Sequence, residues 1–178
     1  MQLRSLKDLL RAVQAMVQPE RITVLGSSAL LATDPQLGEA GGPLQISFDA
    51  DLLLNPSDDE IAAIVHEAVG EGSLFHKRNA VYADVLRPDI VETLPTGWDQ
   101  RLKPISDVSH AAGLEAHDLA LVKLALGRNK DLDLLRTLLS RGTIQADELQ
   151  RRFQLLSWNE HRLRDTGIRL RTLLADQP

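Results

Sequence analysis

The chain has no cysteine in 178 residues, which excludes disulfides, thiolate metal sites and cysteine nucleophiles, and agrees with a reducing compartment. Aromatic residues make up only 3%, so there are few platforms on which successive bases of a single-stranded nucleic acid could stack. No run approaches the ~20 apolar residues of a membrane span, and charge interrupts residues 1–16 too often for a signal peptide. The expectation is a cytoplasmic protein with no membrane partner. Also missing are internal repeats, low-complexity runs, a Walker A loop, a nucleophile elbow and a paired-histidine metal motif.

What is present is an ordinary share of apolar residues, 43%, and of charged residues, 25%. At this length the chain can bury one good core but not two independent enzyme domains. The net charge of −5 hides an asymmetry: residues 1–118 carry 9 Lys and Arg against 18 Asp and Glu, and residues 119–178 carry 11 against 7. An acidic front attracts divalent cations, and a basic tail either faces an anionic ligand or simply solvates amphipathic helices.

The chain is organised around residues 21–54. An apolar strand, residues 21–25, runs into Gly26-Ser27-Ser28, a short helix over 28–32 ends at Asp34-Pro35, and a glycine- and proline-rich stretch, 33–43, reads as a mobile surface loop. A second strand over 46–54 carries Asp49 and Asp51, and its tail of three leucines marks it as central in a sheet. Alternation puts both carboxylates on one face. Such a pair repels itself unless a cation lies between, and hard oxygen ligands suit Mg²⁺ or Mn²⁺. A glycine turn opening a helix offers free N–H groups to a phosphate.

Around this stretch the periodicities predict helices over residues 3–17 and 58–69, the second opened by a capping box at Ser57-Asp58-Asp59-Glu60 whose acids compensate the helix dipole. His66 on that helix lacks a partner histidine. Residues 73–75 and 80–86 read as a hairpin turning at His76-Lys77-Arg78-Asn79, with Asp84 on the second strand facing either the cleft or solvent. Residues 88–104 are loop-rich, with Trp98 and Arg101 folding the segment onto the body, and 105–108 suggest an edge strand. Helices follow over 117–126, with Asp118 in the first turn, then, after a connection over 127–131, on to Ser140 with a stop at Gly142, over 143–156, and over 157–174 from a capping box at Ser157. Lys123 sits among Leu119, Leu121, Val122, Leu124 and Leu126, so its stem must follow apolar surface; it is either a snorkelling lysine or a point charge aimed at a ligand.

An apolar strand, then Gly-Ser, then Asp-x-Asp on the next strand resembles the nucleotidyltransferase superfamily that includes DNA polymerase beta. The segments LPTGWDQRL, 94–102, and HDLALVKLALGRNKDLDLLRTLL, 117–139, are similar to a bacterial group of nucleotidyltransferase-like proteins related to abortive-infection toxins. The likeness runs over about residues 10–156, and the loop between Gly-Ser and the first aspartate is longer here than in the minimal members. The resemblance implies an α/β (α+β) fold with a small mixed sheet of four to five strands flanked by helices, a core over 1–112 and a C-terminal helical region over 113–178. It implies metal at Asp49, Asp51 and a third acid, for which Asp84 stands in the right place. It implies triphosphate contacts from Gly26, Ser27, Ser28, Lys123 and Arg128, with Asp131 as an aspartate near the lysine. The activity implied is transfer of a nucleotidyl group from an NTP to an acceptor such as tRNA or a protein, including the toxin of a toxin and antitoxin pair. A non-catalytic nucleotide-binding or regulatory protein on the same fold is the alternative.

Overall fold

The computed structural model describes residues 1–175; the last three residues of the expected C-terminal region lie outside them. The fold is α+β. A five-stranded mixed sheet has the order β3-β2-β1-β5-β4, with β1 at Arg21–Val24, β2 at Asp49–Asn55, β3 at Tyr82–Val85, β4 at Lys103–Pro104 and β5 at Ala111–Gly113. β1 is antiparallel to β2 and parallel to β5, β2 is parallel to β3, and β4 is antiparallel to β5. β2 therefore has a neighbour on each side, and Leu52, Leu53 and Leu54 are all buried, as its unbroken apolar tail requires.

Helix α1 (Leu3–Val17) buries Leu6, Leu9, Leu10 and Val13, one stripe at three- and four-residue steps, and ends at Gln18 in the left-handed region just before Pro19. It packs on α2 (Asp59–Val69). The remaining helices are α3 (Leu74–Asn79), α4 (Ala116–Leu126), α5 (Asn129–Ser140), α6 (Ala146–Phe153) and α7 (Glu160–Ala175). α4 is the hub of the C-terminal helices, packing on α5, α6 and α7 and on the 3-10 helix Ser27–Ala32 that follows β1. Its leucines point all round the helix and nearly the whole element is buried, which is why it shows no amphipathic pattern.

Several expectations are corrected. Residues 73–86 form no hairpin. Ser73 caps a helix by accepting from the His76 backbone N–H at 3.1 Å, Ala80 ends it in the left-handed region, and β3 then runs parallel to β2 as the return arm of a β-α-β crossover. Polar HKRN resembles a turn, but one serine cap turns it into a helix. The stretch 33–43 is not an open loop: Asp34 caps a 3-10 turn at Pro35–Gly38, and Leu37 is fully buried. Successive turns hold residues 44–47, so β2 begins only at Asp49 rather than at 46. The cap of α2 is Asp58, accepting from Ile61 N–H at 2.8 Å, not Ser57, and that of α7 is Asn159, accepting from Arg162 N–H, not Ser157. The edge strand is Lys103–Pro104, while Ile105 and Val108 are buried in the turn after it.

Candidate functional site

Asp49 and Asp51 lie on one face of β2, separated by the wholly buried Ala50. The parallel register brings Asp84 of β3 directly beside Asp51, so the side chains of this pair share a face of the sheet. Burial pushes the Asp51 carboxyl above its ordinary value, the charges of Asp49 and Asp84 push it further, and Lys123 and Arg128 oppose them. Asp84 is also raised, by burial first and then by Asp49 and Glu71, with His66 pulling the other way. Asp49 accepts from the Ser47 hydroxyl at 3.3 Å. Neither Asp51 nor Asp84 has an ion pair or hydrogen-bonded partner among the described side chains. Three acids thus share one region of the sheet with little to neutralise them.

The turn after β1 is fitted to this group. A Cβ on Gly26 would stand 1.9 Å from Asp51 Oδ2 and 2.8 Å from its Cγ, so only glycine leaves room for the carboxylate against the turn. The following helix is a 3-10 helix over Ser27–Ala32 rather than an α-helix, and the N–H groups of Ser27 and Ser28 find no acceptor among the described residues. Ser27 is half-buried beside the acids. The Ser28 side chain is buried, and its Oγ has no partner.

A cavity of about 540 Å³ joins these parts to the C-terminal helices. Its lining includes Gly26, Ser27, Asp49 and Asp51 from the sheet and Lys123, Arg128, Lys130 and Asp131 from the α4–α5 corner. Ser28 and Asp84 do not line it. Lys123 is no surface lysine. It is 5% exposed, and its Nζ donates to Asp131 Oδ1 at 2.8 Å. Arg128 Nε donates to Asp131 Oδ2 at 2.6 Å. Burial alone would raise the Asp131 carboxyl, but the hydrogen bonds from Arg128 and Lys123 outweigh it and hold the group below its usual value. One carboxylate shared by two cations leaves a net positive charge on this wall.

Sequence reasoning missed a second polar cluster. Asp118 is the first-turn acid of α4, as expected, but it is fully buried and takes a bidentate pair from Arg101, at 2.7 and 3.1 Å, and a third bond from Arg152 at 2.9 Å. The true cap of α4 is Glu115, which accepts from the His117 N–H and also bonds His117 Nδ1 at 2.8 Å. His117 Nε2 accepts from the Gln145 N–H, so the ring proton resides on Nδ1 and is donated to Glu115. The LPTGWDQRL and HDLALVKLAL segments therefore meet through Arg101 and Asp118, which ties the loop after β3 to α4. The only signal for this in the sequence is an arginine and an aspartate in separate segments, with no spacing rule to join them.

Among the described residues no three His, Cys, Asp or Glu side chains are gathered closely enough to cage a metal ion by themselves. The donors still suit Mg²⁺ or Mn²⁺, since such ions take one or two carboxylates and complete their shell with water and phosphate oxygens. An Asp51 carboxyl whose ionisation is disfavoured in the protein alone is what an added cation would relieve. No family model, curated protein or solved structure matches the chain. No helix among the described residues is long and apolar enough to cross a membrane.

Proposed function

We propose that the chain binds a metal–NTP complex in the 540 Å³ cavity and transfers the nucleotidyl group to an acceptor hydroxyl or phosphate. The observation that carries this reading is one cavity with the Asp49 and Asp51 carboxylates on one wall and the Lys123 and Arg128 cations on another. Acids alone would repel a triphosphate, and cations alone would bind any anion; the combination suits a polyphosphate that arrives with a divalent cation.

Asp49 and Asp51 would hold the metal, with Asp84 beside them as the third acid. Bound there, Mg²⁺ or Mn²⁺ supplies charge neutralisation to the phosphoryl oxygens. The Ser27 N–H group and the Lys123 ammonium orient the phosphates, and Asp131 holds that ammonium in place. The acceptor oxygen attacks the α-phosphorus, the bond to the bridging oxygen of the β-phosphate breaks, and pyrophosphate leaves. Asp84 takes the acceptor proton, and the upward push on its carboxyl, from burial first and then from Asp49 and Glu71, makes it a better base than an ordinary aspartate.

A second reading, NTP binding without transfer, is favoured by one observation: Asp84 stands beside Asp51 but does not line the cavity. Labelled NTPs with Mg²⁺ or Mn²⁺, offered tRNA and total protein as acceptors, separate the two. Label in either acceptor supports transfer. Saturable metal-dependent binding with no label supports the second reading, and no binding rejects both.

A further inference from the structure

The cavity contains more than a phosphate site. Away from the charged residues its wall is aliphatic, built from Leu86, Ile90 and Leu94 of the segment after β3 and from Leu119, Val122 and Leu126 on the same α4 face as Lys123. The uncharged polar side chains on the whole lining are Ser27, Ser47 and Thr93. Ser27 sits at the acids, and Ser47 donates to Asp49. Thr93 donates its hydroxyl proton to the Ile90 carbonyl at 2.7 Å. Two backbone acceptors of these segments are occupied too: the Thr93 carbonyl accepts from Arg162 and the Leu44 carbonyl from the Ser47 N–H. The lining contains no Asn, Gln or aromatic residue.

Telling adenine from guanine, or cytosine from uracil, requires a donor and an acceptor fixed opposite the base edge, and a buried polar pair of that kind discriminates by about 10⁴ or more. An aliphatic wall reads only size and shape, with preferences of about ten to two hundred per methylene-sized step. We infer that this site takes nucleoside triphosphates by the size of the base and not by its hydrogen-bonding edge: purines are held better than pyrimidines, and ATP is not distinguished from GTP. The inference rests on the metal–NTP reading and deepens it. The charged residues fix the triphosphate, and the base is desolvated against Leu86, Ile90, Leu94, Leu119 and Val122.

The test is calorimetric titration of the full chain with the Mg²⁺ complexes of ATP, GTP, CTP, UTP and inorganic triphosphate. ATP and GTP affinities within about threefold of each other, both above CTP and UTP and well above inorganic triphosphate, are expected. A tenfold or greater gap between ATP and GTP overturns the inference, as do four NTPs that bind no tighter than inorganic triphosphate. In either case the metal–NTP reading stands. Failure of all five ligands to bind overturns both. Two variants sharpen the result. Thr93→Val must leave the ATP to GTP ratio unchanged, because Thr93 is placed as a structural donor; a shifted ratio makes it a base reader. Val122→Phe narrows the aliphatic wall and must move the purine to pyrimidine ratio toward pyrimidines, and a ratio that does not move places the base elsewhere.

Discussion

Asp84 on β3 stands in parallel register beside Asp51 on β2, and its charge raises the cost of ionising Asp51 instead of forming an ion pair with a cation. Two strands separated by a helical crossover have been brought together with an acid at the same level on both. Uncompensated like charges cost stability, so a sheet that retains them does so against its own folding free energy.

That cost gives the first prediction. A carboxyl whose folded pKa lies above the unfolded value destabilises the fold once ionised: the penalty is absent below the unfolded value of 3.8 and grows as pH rises through the folded one. Asp51→Asn should therefore raise the melting temperature at pH 7 in metal-free buffer and leave it unchanged at pH 3. The same variant should lose the upward shift that MgATP or MgGTP produces in the wild type by mass action. A thermal melt with and without ligand reads both effects, and an unchanged ligand shift refutes the metal assignment.

Asp84→Asn separates transfer from binding. If Asp84 takes the acceptor proton, its amide should leave NTP affinity within about threefold while turnover falls by about 10²–10⁴. Calorimetry and label transfer on the same preparation decide it; full turnover in the variant removes Asp84 from the reaction.

Lys123 has two roles whose loss can be told apart. Lys123→Met should weaken NTP binding by about ten- to a hundredfold, the loss of one charge-assisted contact of about 1.5–3 kcal/mol. It should also destabilise the fold, because Asp131 remains buried with only Arg128 as partner. Lys123→Met combined with Asp131→Asn restores part of the stability, since the buried charge is gone, but not the affinity. Recovery of affinity along with stability would reduce Lys123 to a structural ion-pair partner.

The Glu115 cluster predicts an acid limb independent of the cavity. Burial would raise the Glu115 carboxyl, but the hydrogen bond from His117 and the charge of Arg152 hold it down to about 2. A depressed pKa contributes stability that is full above the unfolded value of 4.5 and is lost as pH falls toward 2. Glu115→Gln should flatten the stability profile between about pH 4.5 and 2 and lower the plateau at pH 7, as followed by urea unfolding across that range. An unaltered acid limb would mean that Glu115 is not the group responsible.

The sequence by itself determined the features that depend on near neighbours along the chain. The period-two placement of Asp49 and Asp51, the glycine before the 3-10 turn, the three leucines of an interior strand and the C-terminal end of α5 follow from backbone geometry, which acts over a few residues. Where two local readings competed, a single side-chain hydrogen bond chose: Ser73 made a helix of a segment that resembled a turn, and Asp58 and Asn159 took caps that a motif assigned to their serine neighbours. Only the tertiary structure decided which distant charges meet. That Asp84 faces Asp51, that Lys123 turns inward to Asp131, and that Arg101 reaches Asp118 depend on strand order and on how α4 packs against the 3-10 helix after β1. Coulomb and hydrogen-bond energies fall off with distance through space, and distance along the chain says little about them until the sheet and α4 have fixed it.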